Sequence, residues 1–168
     1  MFLRPTSLRE AVDALARPGI QILAGGTDFY PALGDRHLSA PVLDITAVPE
    51  LSGIREEPSQ FRIAGGTTWS ELVATPLPRC FDALKAAARE VGSIQIQNRG
   101  TVAGNLCNAS PAADGVPPLL ALDAEWRISM RPCVGCHGWG LLLDAKKIAI
   151  VRSGAKPVWT ESSIYSSR

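Results

Sequence analysis

At 168 residues, with 46% hydrophobic and 20% charged residues, the chain has the size and composition of a single soluble globular domain or a two-lobed unit. A formal charge of +1 without any Lys/Arg run argues against a nucleic-acid surface. No membrane span is present, and Met1 to Pro5 lacks the basic start and apolar stretch of a secretory signal. The cysteines at 80, 107, 133 and 136 are too few and too unevenly spaced for a disulfide framework, so a reducing cytoplasm is expected, with Cys80 and Cys107 as small buried side chains.

Taken in chain order, Ser7 and Glu10 have capping-box spacing ahead of Leu8, Ala11, Val12 and Leu15, which predicts a short amphipathic helix stopped by Pro18 and Gly19. Ile20 to Leu23 reads as a strand, Ala24-Gly25-Gly26-Thr27-Asp28 as a turn, Phe29 to Leu33 as a short helix and Val42 to Ile45 as a buried strand. A second unit opens near Leu51. There Phe61 to Ala64 is strand-like, and Thr68 with Glu71 repeats the capping-box spacing before Leu72 and Val73. Phe81, Leu84, Ala88 and Val91 follow helical spacing, with Gly92 at the expected C-terminal cap. A Gly- and Asn-rich stretch from Asn98 to Ala109 and the apolar segment Val116 to Leu122 follow.

Net charge then moves from −3 over residues 1–124 to +4 over residues 125–168, and three of the four tryptophans fall in that tail, marking a separate module or sequence of different origin. Leu23-Ala24-Gly25-Gly26-Thr27 is echoed by Ile63-Ala64-Gly65-Gly66-Thr67. Two tight turns needing glycine explain the echo as well as a duplicated binding loop does, and function is assigned to the first copy only.

A glycine pair after a strand lets main-chain N–H groups hold phosphate oxygens without a cation. Ala24 to Asp28 has that form, although it lacks the Lys-Ser/Thr ending of a P-loop and the G-x-G-x-x-G spacing of dinucleotide folds. Asn98 to Asp114 is a second segment of this kind, and two such loops could clasp one extended diphosphate. Plain polar turns explain either one taken alone.

The strings AGGTD (24–28), TTWSEL (67–72) and NRGTVAGNLCNASPAADGVPPLLALDA (98–124) resemble the FAD-binding subunits of the xanthine dehydrogenase and carbon monoxide dehydrogenase family of molybdenum hydroxylases, over roughly residues 3–124. The resemblance implies an α+β, two-lobed FAD-binding fold of the vanillyl-alcohol oxidase and p-cresol methylhydroxylase type, with lobes at 1–53 and 54–124 and a divergent tail at 125–168. It implies a first pyrophosphate loop on Ile22, Leu23, Ala24, Gly25, Gly26, Thr27, Asp28 and Phe29, and a second on Thr101, Val102, Ala103, Gly104 and Asn105. Both loops would donate main-chain amides. Asp114 takes the place of an FAD-contacting carboxylate, Ser110 and Asn108 add polar contacts, and Val91 matches a position close to the flavin.

The implied function is electron transfer, from iron–sulfur clusters through FAD to NAD or another acceptor. The implied partners are an iron–sulfur subunit and a molybdopterin-containing large subunit. No catalytic base, nucleophile or metal ligand is expected, because the cofactor carries the chemistry.

After Ala124 the resemblance stops, which reads as truncation followed by a shifted frame or a fused, unrelated end. Loss of the family's C-terminal parts predicts that the chain alone holds FAD weakly or not at all. Two alternatives stand beside this reading. One is a degenerate interaction module without flavin. The other is a small c-type haem carrier through Cys133-Val134-Gly135-Cys136-His137, a match to C-x-x-C-H that accident explains better in a chain without an export signal. Zinc on those residues would need a fourth ligand, and the only other histidine is the remote His37.

Overall fold

The computed structural model describes residues 1–127 and 148–152. Its first lobe carries a parallel sheet of β1 (Phe2–Leu3), β2 (Gln21–Leu23) and β3 (Val42–Asp44), in the order β1-β3-β2. Val42 stands opposite both Phe2 and Gln21, so β3 is central, and all three of its residues are buried. An apolar strand covered on both faces reads in this way as a continuous run.

Helix α1 (Leu8–Ala14) begins at Ser7, whose Oγ accepts from the Glu10 amide at 3.3 Å. The Glu10 carboxylate returns to the Thr6 amide, at 3.0 Å, so the reciprocal half of the expected box is displaced by one residue. Ala11 and Leu15 pack on Leu43, Ile45, Val48 and Leu51 to form the first core. At the end of β3 the buried Asp44 has its needs met, as burial of a carboxylate requires. Arg4 Nε lies 3.3 Å from it, and the amide and hydroxyl of Thr46 donate at 2.9 and 2.6 Å. α2 (Phe29–Leu33) follows the 24–28 turn as expected.

The second lobe is an antiparallel sheet of β4 (Ile54–Glu57), β5 (Gln60–Ile63), β6 (Ala124–Arg127) and β7 (Ile148–Arg152), in the order β4-β5-β7-β6. Phe61 and Ala124 both pair with Val151. The strand that joins β5 to β6 is therefore drawn from the Ile148 to Val151 run of the tail. The other expectations for the tail, including Cys133 to His137, lie outside the described residues.

Among the described residues this lobe also holds five helices: α3 (Trp69–Ala74), α4 (Asp82–Glu90), α5 (Ile94–Gln97), α6 (Val102–Asn108) and α7 (Val116–Ala121). Thr68 and Glu71 close both halves of a capping box on α3, at 3.2 and 2.7 Å. On α4 the apolar spacing sends Leu84 and Ala88 into the core with Val91 just beyond, and Gly92 follows with φ of +55°. Phe61 from the sheet meets Phe81 edge to face with centroids 5.1 Å apart. Truncating a side chain as buried as Leu84 costs about 2–5 kcal/mol, whereas an exposed ion pair contributes about 0–1 kcal/mol, so apolar packing holds this lobe.

The stretch 98–109, expected to be irregular, contains the whole of α6. Thr101 Oγ1 accepts from the Gly104 amide at 3.0 Å, Val102 enters the core with Leu106 packed against it, and Ala109 ends the helix with φ of +50°. A cap and one apolar i, i+4 pair outweigh the weak helix propensity of Gly104, Asn105 and Asn108.

Candidate functional site

The two glycine bends meet. A Cβ on Gly25 would lie 1.8 Å from the carbonyl oxygen of Arg99 and 3.1 Å from the Gly100 Cα, so the turn after β2 presses its backbone on the segment before α6. Only a residue without a side chain allows that approach. Gly26 has φ of +80°, and a Cβ there would be 2.7 Å from the Tyr30 ring. Beside this seam a cleft of about 400 Å³ opens between the lobes, lined by both bends.

The hydrogen bonding of the two bends differs. Among the described residues, the N–H groups of Gly25, Gly26, Thr27, Asp28 and Phe29 donate to no protein atom. Four of the five in the second bend are engaged: Val102 donates to Thr67 O at 2.9 Å, Ala103 to Gly65 O at 3.0 Å, Gly104 to Thr101 Oγ1 at 3.0 Å and Asn105 to Thr101 O at 3.0 Å, while the Thr101 amide donates to no protein atom among the described residues. The expectation that both bends offer main-chain donors is corrected accordingly. The second bend is the capped start of a helix, and its amides bind it to the 64–67 turn and to Thr101.

From the first expected loop, Ile22, Ala24, Gly25, Gly26, Thr27, Asp28 and Phe29 line the cleft, while Leu23 is buried in the first lobe. From the second, Thr101, Ala103 and Gly104 line it, with Asn108 further along α6. Val91 and Val102 are buried in the core of the second lobe. Asn105 lies behind the wall. Its Oδ1 is buried without a hydrogen-bond partner among the described residues, 3.1 Å from where a Cβ on Gly115 would stand. Ser110 and Asp114 are exposed and do not line the cleft; Ser110 Oγ instead accepts from the Ala112 amide at 3.2 Å.

Sequence reasoning missed Ala32, Ile45, Gly65 and Cys107 as lining residues. Gly65 belongs to the echoed turn, where function had been set aside. Cys107 follows Gly104 by three positions and so shares its face of α6, a relation invisible while the stretch was read as a loop. Cys107 and Cys80 are exposed, which corrects their expected burial: one lies on the cleft side of α6 and the other in the single 3-10 turn before α4. Among the described residues no cluster of His, Cys, Asp or Glu could hold a metal, and no helix is long and apolar enough to cross a membrane.

Residues 1–133 match the family described as the FAD binding domain in molybdopterin dehydrogenase, nine residues beyond the motif-bearing region. This chain belongs to that family. FAD is the cofactor such domains bind. The domain is 37% identical over 133 residues to the xanthine dehydrogenase FAD-binding subunit of Escherichia coli O157:H7, covering 76% of this chain and 45% of that protein. It is 38% identical over 130 residues to the nicotinate dehydrogenase FAD-subunit of Eubacterium barkeri, covering 73% and 43%. Against carbon monoxide dehydrogenase from Hydrogenophaga pseudoflava the FAD-binding domain superposes with a TM-score of 0.75 at 26% identity, over 92% of this chain and 59% of that one. Quinoline 2-oxidoreductase from Pseudomonas putida 86 shares the fold, with a TM-score of 0.73 at 23% identity, over 90% and 58%. The chain thus spans less than half the length of the curated relatives it matches.

Proposed function

We propose that this FAD-binding domain holds the diphosphate of FAD in the cleft between its lobes and serves as the electron-transfer flavoprotein part of a molybdenum hydroxylase. The observation that carries the reading is the run of five unengaged amides from Gly25 to Phe29, in residues that line a cleft whose other wall includes α6 and which Gly25 bounds by its contact with Arg99. Consecutive main-chain donors of this kind suit phosphate oxygens. The residues present therefore fit the group. Gly25, Gly26, Thr27 and Asp28 form the donor side, and Thr101, Ala103 and Gly104 form the opposing wall. Ile22, Phe29 and Ala32 supply apolar surface. Leu23, Val91, Val102 and Asn105 shape these walls from behind, and Ser110 and Asp114 act outside the cleft described here.

When bound, FAD supplies the redox chemistry, taking electrons from iron–sulfur clusters and passing them to NAD or another acceptor. The protein's own residues bind, orient and enclose. No side chain is assigned as acid, base or nucleophile. The partners in this reading are an iron–sulfur subunit and a large molybdopterin subunit, and the lobes, at 1–53 and 54–124, belong to the vanillyl-alcohol oxidase type. A reducing cytoplasm suits the two exposed thiols, Cys80 and Cys107.

Titration of the chain with FAD is the test. Flavin fluorescence is expected to change saturably, at the weak affinity that the sequence predicts for the chain alone, because both walls of the cleft lie within the described residues, and ADP, which carries the same diphosphate, is expected to compete. A titration without saturable change overturns the reading, and capture of the partner subunits by such a colourless chain would favour an interaction module instead.

A further inference from the structure

Asp28 precedes α2 at its N-cap position, where an aspartate ordinarily accepts from the amides of the first helical turn. Here it makes no such bond. The chain explains why: the third helical residue is Pro31, which has no N–H, and the Tyr30 amide is already given to Gly26 O at 3.2 Å. The Asp28 carboxylate turns across the cleft instead. Asn108 Nδ2 donates to Oδ1 at 2.9 Å, a contact between residues eighty positions apart, and Thr27 Oγ1 is 3.4 Å from Oδ2.

Asn108 is well placed to hold it. It ends α6, whose first turn is fixed to the 64–67 turn by the Val102 and Ala103 amides, so the helix forms a strut of about 10 Å from that turn to Asp28. Gly25 is pinned at one end of the donor loop by the Arg99–Gly100 seam, and Asp28 is pinned at the other by Asn108. Among the described residues, Asp28 is also the only charged side chain lining the cleft.

We infer that Asn108 is a positioning residue for anion binding: its amide clasps the Asp28 carboxylate across the lobes, fixing the donor loop and keeping the cleft's one negative charge off the amides that receive the diphosphate. Asn108 need not touch the ligand to act in this way. The inference rests on the FAD reading for its ligand, and on the contact itself for its geometry.

The experiment is a double-mutant cycle on the full chain, read by FAD fluorescence titration and, separately, by thermal unfolding without FAD. Asn108→Asp places two carboxylates together and is expected to weaken FAD binding by about tenfold or more and to lower the Tm. The exchange Asp28→Asn with Asn108→Asp restores a donor and an acceptor and is expected to recover most of both losses. Because the defect of Asn108→Asp is like-charge repulsion, raising salt should shrink it, which a purely structural role would not produce. Losses in the double variant that equal the sum of the single losses, in both readouts, overturn the clasp. If the wild-type chain gives no saturable FAD signal, the FAD reading fails, and the unfolding cycle by itself still decides whether Asp28 and Asn108 are coupled.

Discussion

Two turns of the same sequence, Ala24-Gly25-Gly26-Thr27 and Ala64-Gly65-Gly66-Thr67, leave strands β2 and β5 and place their hydrogen-bonding groups differently. In the second, the polar groups are used inside the protein. Gly66 N donates to Leu51 O at 2.6 Å, Thr67 Oγ1 to Gly53 O at 2.9 Å, and Gly65 O receives the Ala103 amide. In the first, the amides from Gly25 to Phe29 engage no protein atom among the described residues, and Thr27 is only partly buried where Thr67 is fully so. What separates a binding turn from a structural one is therefore where its hydrogen-bonding groups go, since a buried backbone group must find a partner and an unengaged one beside a cleft is left for a ligand.

The largest effect that would sharpen this contrast is expected from Gly25→Ala. The added Cβ meets a backbone carbonyl at 1.8 Å and cannot be relieved by a rotamer change, so the seam must open and saturable FAD binding should be lost. Gly66→Ala brings its Cβ to 2.7 Å from Leu51 O and is expected to lower stability by about 1–3 kcal/mol while leaving a measurable FAD titration. Fluorescence titration together with denaturant unfolding separates the two. A Gly25→Ala chain that binds FAD like the wild type would break the comparison.

The paired threonines come next. Thr67→Val leaves a hydroxyl contact to Gly53 O unmade inside the protein and should cost about 1–3 kcal/mol in urea unfolding. Thr27→Val touches a partly exposed side chain whose hydroxyl, among the described residues, hydrogen-bonds only to its neighbour Asp28, so stability should hold within about 0.5 kcal/mol while FAD affinity falls. Equal stability losses at the two positions would mean that the turns are not functionally distinct. A smaller loss, about 1 kcal/mol, is expected from Thr68→Ala, which removes the capping box of α3 just after the structural turn. Thermal unfolding should detect it, with FAD affinity little changed.

How much of this was visible in the chain depended on whether the signal was local. Capping residues and apolar spacing announced α1, α3 and α4, and short apolar runs announced β2, β3 and β5, because each needs only residues within a few positions. β4 was passed over because Ile54-Arg55-Glu56-Glu57 has one apolar residue and owes its strand to pairing with β5. α6 was hidden by its glycine and asparagines, although Thr101 with Val102 and Leu106 carried the pattern. At the site, the glycine pair was legible, but the reason for it was not: the close approach to Arg99 exists only once the lobes are joined. The burial expected for Cys107 failed for the same reason, since the exposed side of α6 is set by which face Val102 commits to the core.

The finest distinction concerns salt. A phosphate site built on Lys or Arg loses affinity as ionic strength rises, because screening weakens attraction between opposite charges. Among the described residues the cleft is lined by no cation and by one carboxylate, Asp28. Arg4 and Arg99 line a neighbouring polar pocket on the seam, and Arg4 is paired with Asp44. If amides do the holding, raising salt from about 0.05 to about 0.5 M, across which the Debye length shrinks to well under 10 Å, should leave FAD affinity level or slightly higher, as the repulsion from Asp28 is screened. Isothermal titration at the two ionic strengths decides the sign. A fall of about tenfold would shift the anion from the Gly25 to Phe29 amides to the arginines of the adjoining pocket, and the first turn would lose its claim to differ in kind from the second.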